Sequence, residues 1–287
     1  MRQYTLGLYE KAMPGDISWE TKLESALAAG YDYLEISIDE TKEKLARLEM
    51  GMEERRELVC LMYEKGLPIR TMCLSGHRKY PLGSEEPGRA ARGLEIMEKA
   101  IRLADDLGVR LIQLAGYDVY YEASSYTTKK RFFENLSKAV RMAASAGVML
   151  GFETMETEFM NTVTKAMRYV RREESPYLAV YPDIGNLTNA SVLYGTDMIE
   201  DMEQGAGHIA AVHLKETRPG IFREVPFGQG HVEFEKAIPA AWALGVRKYT
   251  VEFWHTGSPW WKEELFRVNS RMRELLYNAQ EKFPDIT

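Results

Sequence analysis

Val148-Met-Leu-Gly-Phe-Glu153 is a short apolar run that stops on a single acid, and three later stretches are built the same way. They are Val180–Asp183 (Val-Tyr-Pro-Asp), Ile209–His213 (Ile-Ala-Ala-Val-His) and Tyr249–Glu252 (Tyr-Thr-Val-Glu). Their last residues, Glu153, Asp183, His213 and Glu252, lie 30, 30 and 39 positions apart, about one strand-plus-helix unit each time. Side chains at the same end of successive parallel strands converge, so four residues distant in sequence can serve one point.

Outward from these runs the same alternation continues. Tyr4–Tyr9, Tyr33–Ile36, Ile69–Leu74 and Val109–Leu114 are strand patterns of β-branched and aromatic residues. Val148–Glu153, Leu178–Tyr181, Ile209–Leu214 and Tyr249–Phe253 complete a set of eight strands. Helical spacing runs through Trp19–Ala29, Glu53–Lys65, Ala90–Leu107, Thr127–Ala146, Asn161–Arg172, Asp197–Gln204, Phe234–Leu244 and Trp260–Lys282. Ser18 is placed to cap the first helix, Pro87 suits a first helical turn, and Gly30, Gly66, Gly108, Gly147, Gly205 and Gly245 stand where helices stop. Strict βα alternation implies a parallel sheet with right-handed crossovers. Eight units in 287 residues predict a (β/α)8 TIM barrel, read as one domain over residues 1–287. No Gly-x-Gly-x-x-Gly follows a strand, which argues against a dinucleotide fold.

Composition narrows the function. A net charge of −6 without a Lys/Arg cluster argues against nucleic acid as a partner. No run approaches the ~18 apolar residues of a membrane span, and the N-terminus enters a strand pattern without a signal-peptide core. The cysteines, Cys60 and Cys73, form no Cys-x-x-Cys pair and read as two buried, reduced thiols, which points to the cytoplasm.

Two glutamates, one aspartate and one histidine at adjacent strand ends form a hard donor set. It suits a divalent metal, Mn²⁺, Mg²⁺ or Co²⁺, with Zn²⁺ also admissible. An ion there can bind the carbonyl and neighbouring hydroxyl of a sugar and acidify the C–H between them, which stabilises an enediolate. Two carboxylates on opposite sides of that carbon permit removal of a proton from one face and its return to the other. Glu153 and Glu252 are the candidates for this acid/base pair, and Asp183 and His213 for pure ligands.

Several segments resemble the bacterial L-ribulose-5-phosphate 3-epimerases (L-xylulose-5-phosphate 3-epimerases) of L-ascorbate and L-xylulose utilisation. They are Gly-Leu-Tyr-Glu-Lys-Ala (7–12), Met-Cys-Leu-Ser-Gly-His-Arg (72–78), Pro-Leu-Gly-Ser-Glu (81–85) and Gly-Leu-Glu-Ile-Met (93–97). Ile-Gln-Leu-Ala-Gly-Tyr-Asp-Val-Tyr-Tyr (112–121), Tyr-Pro-Asp-Ile-Gly-Asn-Leu (181–187), Gly-His-Ile-Ala-Ala-Val-His-Leu-Lys (207–215) and Val-Pro-Phe-Gly-Gln-Gly (225–230) extend the match over nearly the whole chain. The resemblance implies a xylose-isomerase-like barrel, a sugar-phosphate substrate, and a metal tetrad on Glu153, Asp183, His213 and Glu252. It implies substrate contacts from Lys11, His77, Arg78, Glu158, Asn186, Lys215 and Arg223.

A phosphorylated sugar needs cations near the reactive rim, and His77, Arg78, Lys79, Lys215, Arg218 and Arg223 lie in segments that follow strands three and seven. The turn Phe227-Gly228-Gln229-Gly230 could offer backbone N–H groups to a phosphate. Tyr9, Tyr117 and Trp254 are candidate pocket walls, while His208, His231 and His255 read as structural or surface groups. The aromatic-rich segment Trp254–Trp261 reads as the interface patch of a homodimer. An aldose–ketose isomerase acting on a hexulose 6-phosphate through the same metal site is the alternative enzyme. A DNA-repair endonuclease of the same superfamily would need more histidines and a basic face, and a sugar-phosphate sensor would be expected to lack one glutamate of the pair.

Overall fold

The computed structural model describes residues 2–283. In chain order it holds β1 (Thr5–Tyr9), α1 (Trp19–Ala28), β2 (Tyr33–Ile38), α2 (Lys42–Ala46), α3 (Met52–Lys65), β3 (Ile69–Leu74) and α4 (Pro87–Leu107). It continues with β4 (Leu111–Ala115), α5 (Tyr126–Ser145), β5 (Met149–Glu153), α6 (Val163–Glu173), β6 (Leu178–Val180) and α7 (Ile184–Tyr194). The last elements are α8 (Met198–Glu203), β7 (Val212–Lys215), α9 (Phe234–Ala243), β8 (Lys248–Glu252) and α10 (Trp261–Lys282).

All strand pairs are parallel, in the order β6-β5-β4-β3-β2-β1-β8-β7. Two isolated parallel bridges, Val180 to Ile209 and Asp183 to His213, join β6 to β7 and complete the ring. The predicted (β/α)8 barrel is therefore the fold, with its site-bearing ends at one rim.

Alternation along each strand divides the core in two. In β2, Leu34, Ile36 and Ile38 join the main apolar cluster shared with the helices, together with Ile96, Leu103 and Val268. Tyr33, Glu35 and Ser37 have the opposite parity and are as fully buried. With Thr71, Gln113, His213 and Thr250 they give this chain a fully buried polar set within the strands, unlike the branched apolar filling usual in such barrels. Gly7 accommodates it: a Cβ there would lie 2.1 Å from the Tyr33 ring.

Two short helices depart from the sequence expectation. α2 follows Thr41, whose side chain accepts the Lys44 N–H, and it is held from below by Glu10. That buried carboxylate pairs with Lys22 (3.0 Å), Lys44 (3.1 Å) and Arg47 and accepts the Ser37 N–H (2.7 Å). Burial opposes ionisation of Glu10, but Arg47 with its flanking lysines outweighs it and holds the carboxyl at about 2. α7 begins directly at Asp183; its sequence, Ile-Gly-Asn-Leu-Thr-Asn-Ala-Ser-Val-Leu-Tyr, lacks a clear apolar stripe, so periodicity gave no helix there. Cys73 is buried as expected, but Cys60 is exposed, because it lies off the α3 face whose Leu58 and Met62 point inward. Among the described residues no helix is long and apolar enough to cross a membrane.

Candidate active site

Ligand-capable atoms of Glu153, Asp183, His213 and Glu252 lie within 4.8 Å of one another, and all four residues are buried. Glu153 and Glu252 are the last residues of β5 and β8. Asp183 lies beyond β6 as the N-cap of α7, its Oδ1 accepting the Asn186 N–H at 2.6 Å. Its Oδ2 is buried without a hydrogen bond of good geometry, although Lys215 Nζ stands 3.2 Å away. His213 lies inside β7, where Nδ1 is 2.7 Å from Glu252 Oε2 and Nε2 is 2.6 Å from Glu35 Oε1. Carboxylate oxygens and one imidazole nitrogen converging this closely, one oxygen lacking a donor, fit a divalent cation such as Mn²⁺, Mg²⁺, Co²⁺ or Zn²⁺.

The surroundings drive the two glutamates apart in protonation. Burial, reinforced by the Glu252 charge, pushes the Glu153 carboxyl up to about 8. Glu252 is equally buried, but the Lys215 ammonium and the His213 ring outweigh burial and hold it well below the usual carboxylate range. Burial also raises Asp183, to about 6. For His213, burial would lower the pKa, yet the flanking Glu35 and Glu252 carboxylates raise it well above its ordinary value.

A cavity opens onto this cluster, lined by Tyr9, Lys11, Arg78, Glu153, Asn186, Lys215, Arg223, Glu252 and Trp254 among others. Of the residues expected to contact substrate, Lys11, Arg78, Asn186, Lys215 and Arg223 reach it. Lys215 is buried among the acids, its Nζ 3.2 Å from Asp183 Oδ2 and 3.9 Å from Glu252 Oε2. Lys11 pairs with Asp39, and Arg78 lies over the Tyr120 ring at 4.8 Å. Arg223 pairs with Glu156 at 2.6 Å. Asn186 is buried, with Nδ2 donating to Thr154 O at 2.6 Å and Oδ1 unpartnered.

Two expected contacts are placed elsewhere. His77 is buried away from the cavity lining, with its ring 3.0 Å from Gly93 O, and burial drops its pKa to about 4. Glu158 lines a neighbouring surface pocket with Lys165 and Arg168; Glu156, two residues earlier, faces the cavity instead. Lys79 and Arg218 are exposed. Tyr9 and Trp254 line the cavity, while Tyr117 is buried with its hydroxyl toward Ser75 O. His208 is exposed, and His231 meets Thr217.

The Phe227–Gly230 turn is already occupied by a carboxylate. Buried Glu216 accepts N–H groups from Gly228 and Val232, each at 3.1 Å, so the turn folds around this side chain and not around an open anion site. Sequence reasoning also missed Glu35 and Gln113, which flank His213 from β2 and β4. Their signal was the polar inward parity of strands read only as apolar runs, Tyr33/Glu35/Ser37 in β2 above all.

Comparison with known proteins agrees with this fold. The signature of the xylose isomerase-like TIM barrel matches residues 23–270. L-ribulose-5-phosphate 3-epimerases from Escherichia coli and Shigella flexneri are each 44% identical to the chain over 254 residues, 88% of this chain and 88% of theirs. A D-tagatose 3-epimerase-like protein superposes with a TM-score of 0.80 at 17% identity, covering 97% of this chain and 99% of its own. An L-ribulose 3-epimerase superposes with a TM-score of 0.75 at 19% identity, covering 97% and 96%. The chain therefore belongs to the xylose isomerase-like TIM-barrel family and, within it, to the L-ribulose-5-phosphate 3-epimerases, enzymes of the isomerase class.

Proposed function

We propose that this protein interconverts L-ribulose 5-phosphate and L-xylulose 5-phosphate by inverting C3, with Glu153 and Glu252 as the acid/base pair. The observation that carries it is two buried carboxyls, from β5 and β8, that converge with Asp183 and His213 to within 4.8 Å and face one cavity. A divalent ion held by Glu153, Asp183, His213 and Glu252 would polarise the ketone and acidify the adjacent C3–H. The ionised glutamate takes the C3 proton from one face, and the protonated one returns a proton to the other. Each turnover leaves the pair with its protons exchanged, so the reverse reaction starts from the opposite arrangement.

Asn186, whose Oδ1 is unpartnered, and Lys215 line the same cavity and would orient the hydroxyls nearest the reacting carbon. Arg78 and Arg223, nearer the mouth, are the phosphate partners, since a guanidinium grips phosphate through two parallel hydrogen bonds. The test is a proton NMR time course in D₂O with L-xylulose 5-phosphate and Mg²⁺. L-ribulose 5-phosphate carrying deuterium at C3, abolished by chelation, is the expected product. Exchange at C1 with an aldose product would convert the assignment to isomerase.

A further inference from the structure

Glu35 is wholly buried in the middle of β2, and His213 is its ion-pair partner at 2.6 Å. Its second oxygen faces the Tyr181 hydroxyl at 3.1 Å. Tyr181 in turn meets Thr250 Oγ1 at 2.5 Å, and Thr250 meets the Tyr33 hydroxyl at 2.8 Å. Three hydroxyls in series have one consistent direction if the carboxylate is ionised: Tyr33 donates to Thr250, Thr250 to Tyr181, and Tyr181 to Glu35. Such a relay strengthens each bond along it and ends on the anion. Tyr33 also lies 2.8 Å from the Tyr249 carbonyl, which shares its proton.

An apolar residue in this position would avoid the desolvation cost of a buried carboxylate. What the carboxylate does instead is fix the imidazole. Nε2 faces Glu35, whereas Nδ1 faces Glu252 at 2.7 Å and Asp183 Oδ2 at 3.9 Å, the side on which the ligand-capable atoms converge. The Gln113 amide nitrogen lies 2.9 Å from Nδ1 and 3.2 Å from Nε2. An atom that close to both nitrogens lies over the ring face, so Gln113 restrains the ring's tilt without replacing either carboxylate.

We infer that Glu35 is a positioning residue that holds Nε2 of His213 protonated and thereby dedicates Nδ1 to the metal. The role presupposes the metal-binding function proposed above. A ligating histidine whose other nitrogen donates to a carboxylate is fixed in tautomer and made more basic, and loss of such a partner weakens metal binding by about 10- to 100-fold. Here the partner comes from across the barrel, 178 residues away in sequence, and is itself oriented by the hydroxyl relay.

The test combines calorimetric Zn²⁺ titration of the apo protein with ¹⁵N-histidine NMR of the Zn²⁺-loaded form, assigned with a His213→Gln variant. Wild type should bind one ion at the tetrad, lose it in Asp183→Asn, and show His213 protonated at Nε2 and ligated through Nδ1. Glu35→Gln, which keeps the shape and an acceptor but not the charge, should weaken binding by about 10-fold, and Glu35→Leu by up to about 100-fold. The apo melting temperature of Glu35→Gln should stay close to wild type. Unchanged Zn²⁺ affinity in Glu35→Gln, or ligation of wild-type His213 through Nε2, overturns the inference while leaving the metal site intact. Wild-type binding indifferent to Asp183→Asn overturns the metal function itself, and Glu35's role with it. The wild-type tautomer decides the matter even if Glu35→Leu does not fold.

Discussion

Lys215 Nζ stands 3.2 Å from Asp183 Oδ2 and 3.9 Å from Glu252 Oε2, a buried ammonium lodged among the acids and well inside the arginines of the mouth. Its pKa is raised, because Asp183 and Glu252 outweigh the effect of burial, so it stays charged at neutral pH. Under the proposed function, that position would set it at the reacting end of the substrate. Lys215→Met should therefore lower kcat/KM by roughly 100-fold or more, the scale of removing a buried charge-assisted contact. L-xylulose 5-phosphate and free L-xylulose should lose the same factor. A loss confined to the phosphorylated sugar would return Lys215 to the phosphate subsite.

Arg78 and Arg223 should behave in the opposite way. Arg223→Gln removes a guanidinium that is partly exposed and restrained by Glu156. A charge-assisted hydrogen bond of about 1.5–3 kcal/mol corresponds to a KM increase of roughly 10- to 100-fold. The increase should be seen with the phosphorylated ketose and be nearly absent with the unphosphorylated one. Steady-state kinetics on the two sugars, for each arginine variant, separate the cases.

Glu153→Gln and Glu252→Gln should each reduce turnover by at least roughly 10²- to 10⁴-fold, the usual contribution of one general acid or base. Circular dichroism should remain that of the wild type. Retention of near-normal turnover by either variant would exclude the two-carboxylate mechanism. Solvent deuterium should still enter C3 if the remaining carboxylate can abstract a proton, and this identifies which glutamate serves which epimer.

The buried imidazole of His77 gives a pH signature independent of catalysis. Its pKa is lowered from 6.5 to about 4 by burial, partly offset by the Gly93 carbonyl. Between those values the unfolded chain binds a proton that the folded chain does not, so folding weakens as pH falls through this window. The stability is fully present above the unfolded value. The shift corresponds to roughly 3 kcal/mol. A His77→Gln variant should lack this component, so urea unfolding of wild type and variant should converge by about that amount between neutral pH and about pH 4. Parallel pH profiles would remove His77 as the origin.

Gly230 provides a steric test of the loop after β7. A Cβ there would lie 2.1 Å from Glu216 Oε1 and 2.2 Å from the Thr217 carbonyl oxygen. Since that oxygen is backbone, Gly230→Ala must displace the loop. A cost of about 1–3 kcal/mol is expected for forced overpacking, measurable as a lower midpoint in urea, with reduced activity because Phe222 and Arg223 of the same loop line the cavity.

The barrel was legible from its βα alternation, and four of its rim residues because four apolar runs each closed on one conspicuous polar residue, as in Val148–Glu153. Such a signal survives without any knowledge of neighbours. Glu35 gave no comparable signal: it lies mid-strand, and its meaning depends on an imidazole placed opposite by closure of the ring. α7 was missed for a related reason. It is fixed by Asp183 at its N-terminus and by packing, so a residue read as a metal ligand alone also starts a helix. The exchange of Glu158 for Glu156 reflects a loop, where two residues of backbone suffice to turn a carboxylate from one cavity to the next.

The ring is fastened most sparsely between β6 and β7, where isolated bridges replace a continuous ladder and one bridge joins Asp183 to His213. Two candidate donors to a single ion thus face each other across the place where the cylinder would split first. An ion bound by both would act as a clasp, coupling occupancy of the site to cohesion of the whole wall. Amide hydrogens of Val180, Ala210 and His213, which donate across this gap, should then exchange faster after chelation than those of the β2–β3 ladder. The enzyme would report loss of its ion as a loosened stave before it reports it as unfolding.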